Sequence, residues 1–513
     1  MKKNNLLTST IWNKLSKVSM LFFFSIMGPL AEAQDIKYKA DVPEKILTPD
    51  VVETRQLGTL NFEDGVPTDK TVEKLYDNMD FYRGVESFMV GVPAASMYGY
   101  LEGMKQTGMD TYSLGIYKDM FDARSLWLTP NTTTLYGIAE INVKEGPTVL
   151  EVPSGVLGPV MDAYFRFVAD VGFTGADQGK GGKYLFVPPG YKGELPNEGY
   201  HIVHTPTYRN GLLMRAFVID RDIPKTVKHV EANWKLYPYS KAESVPEQHF
   251  VDLTGKQYNT IHANNFEFYE ELNAAIQYED QGAFGEGNAA LWEGIGIVKG
   301  EEFNPDARMK EILVEAAAVG NATSRAVSFK PRDRRLYFYD DRQWFSPYAP
   351  ENHEFRDVNN TIVTDWRTFM HYMAIGVTPA MAKSQVGVGS SYVFTAQDSN
   401  GETLSGDKVY SVTLPGPVPA KDFWSFTVYS NQHRSLLETN QRAAGMDSFQ
   451  EGLEQNKDGS YTIWFSAEPP VGKENNWVQT IPGKSFSCIA RLYGPLEPWF
   501  DKTWKPGDFV IEE

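Results

Sequence analysis

The clearest alternation of apolar and other residues lies in the C-terminal part of the chain. Three runs rich in β-branched and aromatic residues are separated there by turn residues: 422–429, 458–465 and 485–494. Strand side chains point alternately to opposite faces, so each run predicts a β-strand. The apolar face of the third strand, which we expect to be core, consists of Phe486, Cys488, Ala490 and Leu492. Its other face carries Ile489, Arg491 and Tyr493, and we expect that face to hold chemistry or to meet a partner.

The rest of the chain changes between helical and strand patterns. Residues 71–106 carry apolar side chains at steps of three and four, which predicts a helix that Pro93 breaks or kinks. Alternating runs between Gly- and Pro-rich turns predict a group of strands: 133–143, 163–170, 183–187 and 212–219. Helical spacing returns between residues 220 and 332. The pattern therefore predicts a β-rich region, a helical region and a second β-rich region.

The N-terminus has the features of a secretory signal. An apolar run at 18–27 follows four lysines, and small residues around Ala33 supply a cleavage site. This run is shorter than the ~20 apolar residues that a spanning helix needs, which argues against the alternative of an uncleaved anchor. We therefore expect a chain that is cleaved after residue 33, has no stable membrane span and works in the periplasm or outside the cell.

These patterns predict five segments. They are a signal peptide at 1–33, an extended lead-in at 34–68, a β-rich domain with a leading helix at 69–225, a helical middle region at 226–385 and a C-terminal β domain at 386–513. More than one domain is expected in a chain of 513 residues, because a single core stops growing at about 250–300 residues.

The charge and the cysteine count exclude several functions. The sequence has a net charge of −17, and loss of residues 1–33 removes four lysines and one glutamate, which makes it −20. Such a surface repels nucleic acids and anionic membranes, so we expect no nucleic-acid partner. Cys488 is the only cysteine, so no internal disulfide can form, and its place on an apolar strand face predicts a buried thiol and not a nucleophile.

Common catalytic and cofactor motifs do not occur in the sequence. There is no G-x-S-x-G motif, and the glycine-rich stretch at 175–182 does not match a phosphate-binding loop, so a surface turn explains it better. His201 and His204 are close in sequence, but a spacing of three in an extended segment points them to opposite faces. The sequence thus predicts no cofactor and no metal site.

Polar side chains on the strand faces opposite the core are the candidate site. Those in the first β domain are Tyr136, Arg166, Asp170 and Arg215. A guanidinium among apolar neighbours requires a carboxylate or an anionic ligand, because an unpaired buried charge is costly. These arginines either form a structural ion-pair network with Asp170 or Glu140 or line a ligand pocket, and the sequence leaves both alternatives open. The same choice applies to Arg491 and Tyr493 in the second β domain.

Aromatic residues offer a further alternative. The C-terminal domain is rich in tryptophan: Trp424, Trp464, Trp477, Trp499 and Trp504. Exposed indole rings can stack on sugar rings, although most tryptophans are core or domain-contact residues. Carbohydrate binding therefore stays open beside a purely structural role.

Several runs of residues resemble a known pair of domains. Residues 128–136, 146–153 and 184–190 are similar to domain of unknown function 1254. Its usual partner, domain of unknown function 1214, is resembled by five further runs: 422–429, 456–461, 476–478, 491–495 and 499–508. The resemblance covers most of the mature chain and implies an α+β fold of two β-sandwich-like (jelly-roll-like) domains joined by a helical middle layer. It implies no established reaction.

One position departs from the pattern of that family. Members usually show Pro-Asn-x-Asp-Thr-x-Tyr, whereas this sequence has Thr133 in place of the acid. Any role that the acid has elsewhere is therefore lost or changed in this chain.

Two functional hypotheses follow. The first is an exported enzyme, with hydrolase as a candidate class, that acts on a small or carbohydrate-derived anionic substrate in a pocket of the β domains. Arginine suits a substrate carboxylate or sulfate, and tyrosine or aspartate suits proton transfer. The second is a non-catalytic binding or assembly protein of the cell envelope. A deep pocket with ionisable groups distinguishes the first from the second, and a homo-oligomer is compatible with both.

Overall fold

The computed structural model describes residues 37–348 and 351–512. The predicted signal peptide at 1–33 lies outside the described residues, as do the first three residues of the predicted lead-in. The chain divides into two compact units, Met1–Val72 and Glu73–Glu513.

The described portion of the first unit contains a small antiparallel sheet where the sequence predicts an extended lead-in. A 3₁₀ turn at Glu44–Ile46 precedes three strands, which are β1 (Val51–Thr54), β2 (Gly58–Glu63) and β3 (Val66–Pro67). They pair in the order β1-β2-β3. Prolines in this segment and the shortness of the strands hide their alternation, which is why the sequence pattern does not predict the sheet.

A long helix, α1 (Asp69–Gln106), spans the helix predicted over 71–106. It continues through Pro93 and does not end there. Its C-terminal half contributes Met97, Tyr100 and Met104 to the largest hydrophobic cluster of the second unit.

Two sheets form the β-rich region that follows. Their elements in chain order are β4 (Leu114–Ile116), β5 (Leu135–Asn142), β6 (Thr148–Val152), β7 (Val156–Asp162), β8 (Phe167–Gly172), β9 (Gly182–Val187), β10 (His201–His204), β11 (Arg209–Ala216), helix α2 (Ile223–Asn233), β12 (Lys235–Pro238) and β13 (Phe250–Asp252). A six-stranded sheet has the order β13-β4-β5-β11-β7-β8, and a four-stranded sheet has the order β10-β9-β6-β12. Leu135 and Leu212 of the larger sheet share one core with Leu150 and Phe186 of the smaller sheet.

Two short strands lie within the predicted helical region, after helix α2 at its start. Strands β12 and β13 follow residue 225 but pair with the N-terminal sheets, and at four and three residues they are too short to show alternation. The helices of the middle region are α3 (Glu267–Tyr278), α4 (Glu286–Glu293), α5 (Ala307–Phe329), α6 (Thr364–Met373) and α7 (Pro379–Ala382). No helix in the stretches of the chain that the structure describes is long and apolar enough to cross a membrane.

A further pair of sheets forms the C-terminal β-rich region. Its elements are β14 (Ser390–Thr395), β15 (Val409–Leu414), β16 (Ala420–Ser430), β17 (Gly445–Asp447), β18 (Tyr461–Ser466), β19 (Trp477–Gln479), β20 (Phe486–Pro495), helix α8 (Glu497–Phe500) and β21 (Val510–Glu512). The sheets have the orders β14-β20-β16-β17 and β19-β18-β15-β21. Phe426 and Cys488 of the first share a core with Val412 and Phe465 of the second.

The fold is therefore mixed α+β with several open sheets. Each β-rich region consists of a pair of sheets with a common core, which is the packing that a sandwich requires. The finer description as two jelly-roll-like sandwiches stays a prediction.

Candidate functional site

A cavity of about 110 Å³ lies where the N-terminal and C-terminal sheets face each other. Strands β5, β7 and β11 supply one side and strands β14 and β20 the other, and residues of α6 and its flanking loops complete the wall. Its polar wall residues are Thr129, Asn131, Tyr136, Arg215, Ser346, Tyr348, Tyr392 and Arg491. The two arginines are the charged residues of this wall.

The register of the six-stranded sheet places Tyr136 and Arg215 side by side. Tyr136 of β5 lies opposite Arg215 of β11, and Arg215 lies opposite Leu157 of β7. Neighbours on paired strands share a face, so all three side chains point the same way. The adjacent positions, such as Leu135 and Ala216, point into the core shared with the smaller sheet. The face that the sequence predicts to lie opposite the core is thus itself covered, and it forms one side of the cavity.

The other side of the cavity follows from the alternation of β20. Phe486, Cys488, Ala490 and Leu492 are buried in the core, as the sequence predicts for the even positions. Ile489 and Arg491 consequently point to the opposite face, where both line the cavity.

Arg491 is held by neutral acceptors. Its Nη1 donates to Thr427 Oγ1 at 2.9 Å, and its Nη2 donates to Tyr429 Oη at 2.7 Å and to the Thr129 carbonyl oxygen at 3.3 Å. The residue is 6% exposed, and no carboxylate of the described residues forms an ion pair with it. The positive charge of Arg491 is therefore fixed in position without an internal counter-ion.

Arg215 has still fewer partners. Its half-buried guanidinium makes no hydrogen bond and no ion pair with any residue that the structure describes. It lies close enough to Tyr136 and Asp170 for its charge to offset part of the rise that burial causes in the pKa of each. The cavity wall thus contains one guanidinium whose donors are all free.

Tyr136 lies close to both arginines. Its Oη accepts a hydrogen bond from the backbone N–H of Asn131 at 3.0 Å, and its own O–H donates to no described residue. Burial raises the pKa of Tyr136, and the charges of Arg215 and Arg491 offset some of that rise. The phenol is therefore a neutral donor in a positively charged cavity.

The loop before β5 is folded around one side chain. Asn131 Oδ1 accepts hydrogen bonds from the backbone amides of Thr133 and Thr134 at 2.9 and 3.1 Å and from their hydroxyl groups. Such closure of a turn on an Asn oxygen is a common local motif. It places Asn131 in the cavity wall and directs Thr133 towards Tyr493.

Tyr493 lies beside the cavity and not in its wall. Its ring stacks on Phe423 with 3.9 Å between the ring centroids, and its Oη lies 3.0 Å from Thr133 Oγ1. The position where the family usually has an acid is thus next to Tyr493, which in turn lies near Arg491.

Asp170 also lies near the cavity without lining it. It is opposite Pro159, a wall residue, in the pairing of β7 and β8. Burial raises the pKa of Asp170 to about 7, although the Thr174 hydroxyl and Arg215 act in the opposite direction. Its Oδ1 has no hydrogen-bond partner among the described residues.

Arg166 lies outside this arrangement, which corrects the prediction that it shares a strand face with Asp170. Residues 163–166 form a turn, with Phe165 at a φ of +56°, and β8 begins only at Phe167. Arg166 Nε lies 2.6 Å from Asp162 Oδ2, and Nη2 donates to the Ala283 carbonyl oxygen at 2.6 Å. It is therefore a member of a structural ion pair.

Glu140, the other acid predicted as an internal partner of these arginines, also pairs with a different residue. Glu140 pairs with Arg209, whose Nε lies 2.7 Å from Glu140 Oε1. Glu140 thus neutralises neither Arg215 nor Arg491.

The apolar wall is the portion of the site that sequence reasoning missed. Three rings form its centre: Phe345, Phe369 and Phe394, called here the phenylalanine triad. Their centroids are 5.6, 5.1 and 6.1 Å apart, and methionines of α6 and α7 lie beside them. The only sequence signal is the aromatic and methionine content of residues 364–381, which by itself indicates no more than a packing layer.

Three of the five C-terminal tryptophans are buried and cannot stack on a sugar ring, whereas the half-buried Trp464 and Trp477 lie opposite each other in the pairing of β18 and β19. Trp424, Trp499 and Trp504 belong to the core and are at most 7% exposed. Trp477 is half-buried and donates its indole N–H to the Ser466 carbonyl oxygen at 3.0 Å. Within the described residues, no group of three or more His, Cys, Asp or Glu side chains could hold a metal ion.

Two family models match the chain. Residues 113–238 match the protein of unknown function DUF1254, and residues 389–497 match the protein of unknown function DUF1214. The first match contains Tyr136 and Arg215, and the second contains Arg491. No curated protein matches the sequence.

Solved structures resemble the fold. The crystal structure of the VPA0106 protein from Vibrio parahaemolyticus has 17% sequence identity and a TM-score of 0.51, and the match covers 85% of this chain and 100% of that chain. An uncharacterized protein from Burkholderia cenocepacia has 12% identity and a TM-score of 0.40, with 86% and 97% of the two chains covered. At these identities the likeness to VPA0106 shows the fold alone.

Proposed function

We propose that this chain, which carries a DUF1254 domain and a DUF1214 domain in tandem, binds a small organic anion in the cavity of Tyr136, Arg215 and Arg491. In this proposal the chain is an exported enzyme and the anion is its substrate. The cavity then belongs to both domains, because each contributes one of the two arginines.

The proposal depends on a cavity wall that offers hydrogen-bond donors and contains no acidic side chain among the described residues. Arg215 has no partner among the described residues, and Arg491 has only neutral ones. The O–H groups of Tyr136 and Tyr392 donate to no described residue. A buried charge is costly unless a counter-charge accompanies it, so an anion is the ligand that lowers the free energy of this cavity most.

Arginine suits this role for geometric reasons. A guanidinium offers parallel N–H donors to the two oxygens of a carboxylate, and hydrogen bonds between charged groups are about twice as strong as neutral ones. In the low-dielectric space between two sheets that attraction is stronger than in water. An anion held there accepts the Tyr136 proton in a hydrogen bond without any change in the fold.

A chemical role for Tyr136 completes the enzymatic form of the proposal. Burial raises the pKa of Tyr136, and the charges of Arg215 and Arg491 offset part of that rise, so Tyr136 can act as a general acid that gives its proton to negative charge developing on a substrate and then recovers it. Asp170 is near Arg215 and has a pKa of about 7, which suits a group that exchanges protons near neutral pH.

A second candidate is a binding protein without chemistry. Among the described residues, the cavity wall contains no His, Cys, Asp or Glu side chain, so only its tyrosines are suited to proton transfer. If Tyr136 binds the ligand without transferring a proton, this observation favours a non-catalytic binding protein of the cell envelope.

The binding test uses the chain from residue 34 and a panel of carboxylates, sulfonates and phosphates with their neutral analogues. Isothermal titration calorimetry is expected to find anions that bind while the neutral analogues do not. Arg215→Met is expected to lower the affinity by about tenfold or more, because it removes the free guanidinium. Arg332→Met is the matched control, since Arg332 is 92% exposed and does not line the cavity.

The test of chemistry comes after binding. Incubation of the bound anion with the protein, followed by mass spectrometry, is expected to show a product that Tyr136→Phe does not form. If the natural chain and Tyr136→Phe bind the anion equally and neither forms a product, the chain is a binding protein and not an enzyme. An anion affinity that Arg215→Met leaves unchanged would reject the cavity in both forms.

Export is tested separately. Fractionation of cells that express the full chain is expected to place it outside the cytoplasm with Gln34 as its first residue, as the apolar run at 18–27 predicts. A cytoplasmic chain that begins at Met1 would overturn the export proposal and leave the cavity proposal intact.

A further inference from the structure

The chemistry of the cavity wall also restricts the body of the ligand. This inference rests on the proposed function, because it assumes that Arg215 and Arg491 hold an anionic group. The remaining question is what that group is attached to.

The phenylalanine triad lines the same cavity as the two arginines. Phe345, Phe369 and Phe394 are at most 5% exposed, and the centroid distances of 5.1 to 6.1 Å are those of mutually packed rings. Met370 and Met381 line the same wall. Aromatic rings and methionine sulfur both interact favourably with a further aromatic ring. The cavity wall thus combines two guanidinium groups with an aromatic, apolar surface.

The size of the cavity limits the ligand to one ring. Its volume is about 110 Å³, and an apolar cavity of about 150 Å³ accommodates a benzene molecule. Because 110 Å³ is less than that, a single six-membered ring is the upper limit for the body of the ligand, and a fused bicyclic system exceeds it.

A sugar acid fits this wall poorly although it carries the same charge. Ser346, Tyr348 and Tyr392 can pair with only some of its hydroxyl groups, and those that lie against the phenylalanine triad have no partner there. Each unpaired buried hydroxyl weakens binding. An aromatic acid has no such groups and gains from burial of its ring.

We propose that the ligand of this cavity is a carboxylate carried by a single aromatic ring. The carboxylate pairs with Arg215 and Arg491 and accepts a hydrogen bond from the Tyr136 O–H group, while the ring packs on the phenylalanine triad. This class excludes oligosaccharides and favours a monocyclic aromatic acid over a sugar acid of equal charge.

The experiment measures the affinity of the chain from residue 34 for four probes by calorimetry. Benzoate represents the proposed class, benzamide is its neutral analogue, glucuronate is the sugar acid and 2-naphthoate is the bicyclic acid. We expect benzoate to bind about tenfold or more tightly than each of the others. Arg215→Met is expected to remove this preference over benzamide, and it breaks no hydrogen bond among the described residues.

A second variant tests the apolar wall without touching the arginines. Met381 is half-buried, and Met381→Gln keeps its length while it replaces the sulfur by a polar amide. Benzoate is expected to bind several-fold more weakly to this variant, and glucuronate is not.

The outcomes separate this inference from the proposed function. Arg215-dependent binding of glucuronate as tight as that of benzoate would overturn the aromatic class and leave the anion cavity standing. If none of the three carboxylates binds in a manner that Arg215→Met weakens, both proposals fail. Benzoate binding that Met381→Gln leaves unchanged places the ring elsewhere and also overturns the inference.

Discussion

Two arginines of one cavity have different roles in stability. Arg491 ties β20 to β16 and to the loop before β5 through hydrogen bonds to Thr427, Tyr429 and Thr129. Arg215 makes no such bond with the residues described. The hydrogen bonds of Arg491 stabilise the fold. The unpaired guanidinium of Arg215 either serves to bind a ligand or lowers the stability of the fold.

We predict effects of very different size for the same substitution at these two positions. Arg491→Met is expected to lower the free energy of unfolding by about 3 kcal/mol, because it removes charged hydrogen bonds and leaves buried acceptors. Arg215→Met is expected to change it by less than about 1 kcal/mol. Urea unfolding followed by circular dichroism measures both values, with Arg332→Met as the exposed control. Equal losses would show that Arg215 has a structural partner.

The carboxyl group of Asp170 gives a prediction about pH. Its pKa is raised from 3.8 to about 7 by burial, so the folded chain binds its proton more tightly than the unfolded chain. Stability therefore falls as pH rises from about 4 to about 7 and stays lower above that range. One pKa unit corresponds to about 1.4 kcal/mol, so the effect at pH 8 is at most about 4 kcal/mol.

Asp170→Asn is expected to remove this loss. The variant should approach the natural chain in stability near pH 4 and exceed it increasingly towards pH 8, because an amide does not ionise. Unfolding in urea at several pH values measures the difference, and Glu247→Gln, which changes an exposed carboxylate, is the control. A difference that is constant with pH would mean that Asp170 is not the titrating group.

At the scale of elements, the strands were predictable where alternation was long. The runs at 422–429 and 485–494 correspond to β16 and β20, and the even positions of β20 are buried as expected. The prediction of a strand over 163–170 was wrong for its first residues, because they form a turn with Phe165 in the left-handed region. Alternation of residue types cannot reveal a turn that a buried Asp162 closes by accepting backbone amides.

The aromatic wall could not be assigned from sequence for a different reason. Phe345, Phe369 and Phe394 are far apart in the chain and meet only because β14, α6 and the loop at 345–348 pack together. Each alone has the pattern of an ordinary core residue. Their common position beside a cavity is a property of the packing.

The loop before β5 supports a prediction about Thr133. Thr133 contacts Tyr493, which lies near Arg491, so an aspartate at position 133, the residue usual in the family that this chain resembles, would add its charge close to Arg491. Its charge would offset that of Arg491 and compete with a bound anion. Thr133→Asp is therefore expected to weaken anion binding about tenfold, measured by calorimetry with the tightest ligand of the panel.

The neighbouring threonine provides the control for that experiment. Thr132 is half-buried in the same loop, and Thr132→Asp adds the same charge one residue away. It is expected to weaken binding much less, because its side chain does not contact Tyr493. Equal effects of both variants would indicate a general effect of charge on the loop.

At the scale of the whole molecule, one hydrophobic cluster joins the two β-rich regions. Tyr136, Ile138 and Leu213 of the N-terminal sheet belong to the same cluster as Trp424 and Cys488 of the C-terminal sheet. Hydrogen bonds also connect these regions, such as that from Tyr429 Oη to the Pro130 carbonyl oxygen at 2.6 Å. The two matched domains thus share a core, which two independently folded domains do not.

We therefore predict that β5 and β20 unfold together. Ile138 is fully buried in the shared cluster, and Ile138→Ala is expected to cost about 3 kcal/mol. Hydrogen exchange measured by mass spectrometry should show the same loss of protection in peptides from β5 and from β20, because one cooperative unit opens as a whole. Loss of protection confined to β5 would show that the two domains unfold independently. In that case the cavity would lie between two domains that move independently, and ligand binding would have to hold them together.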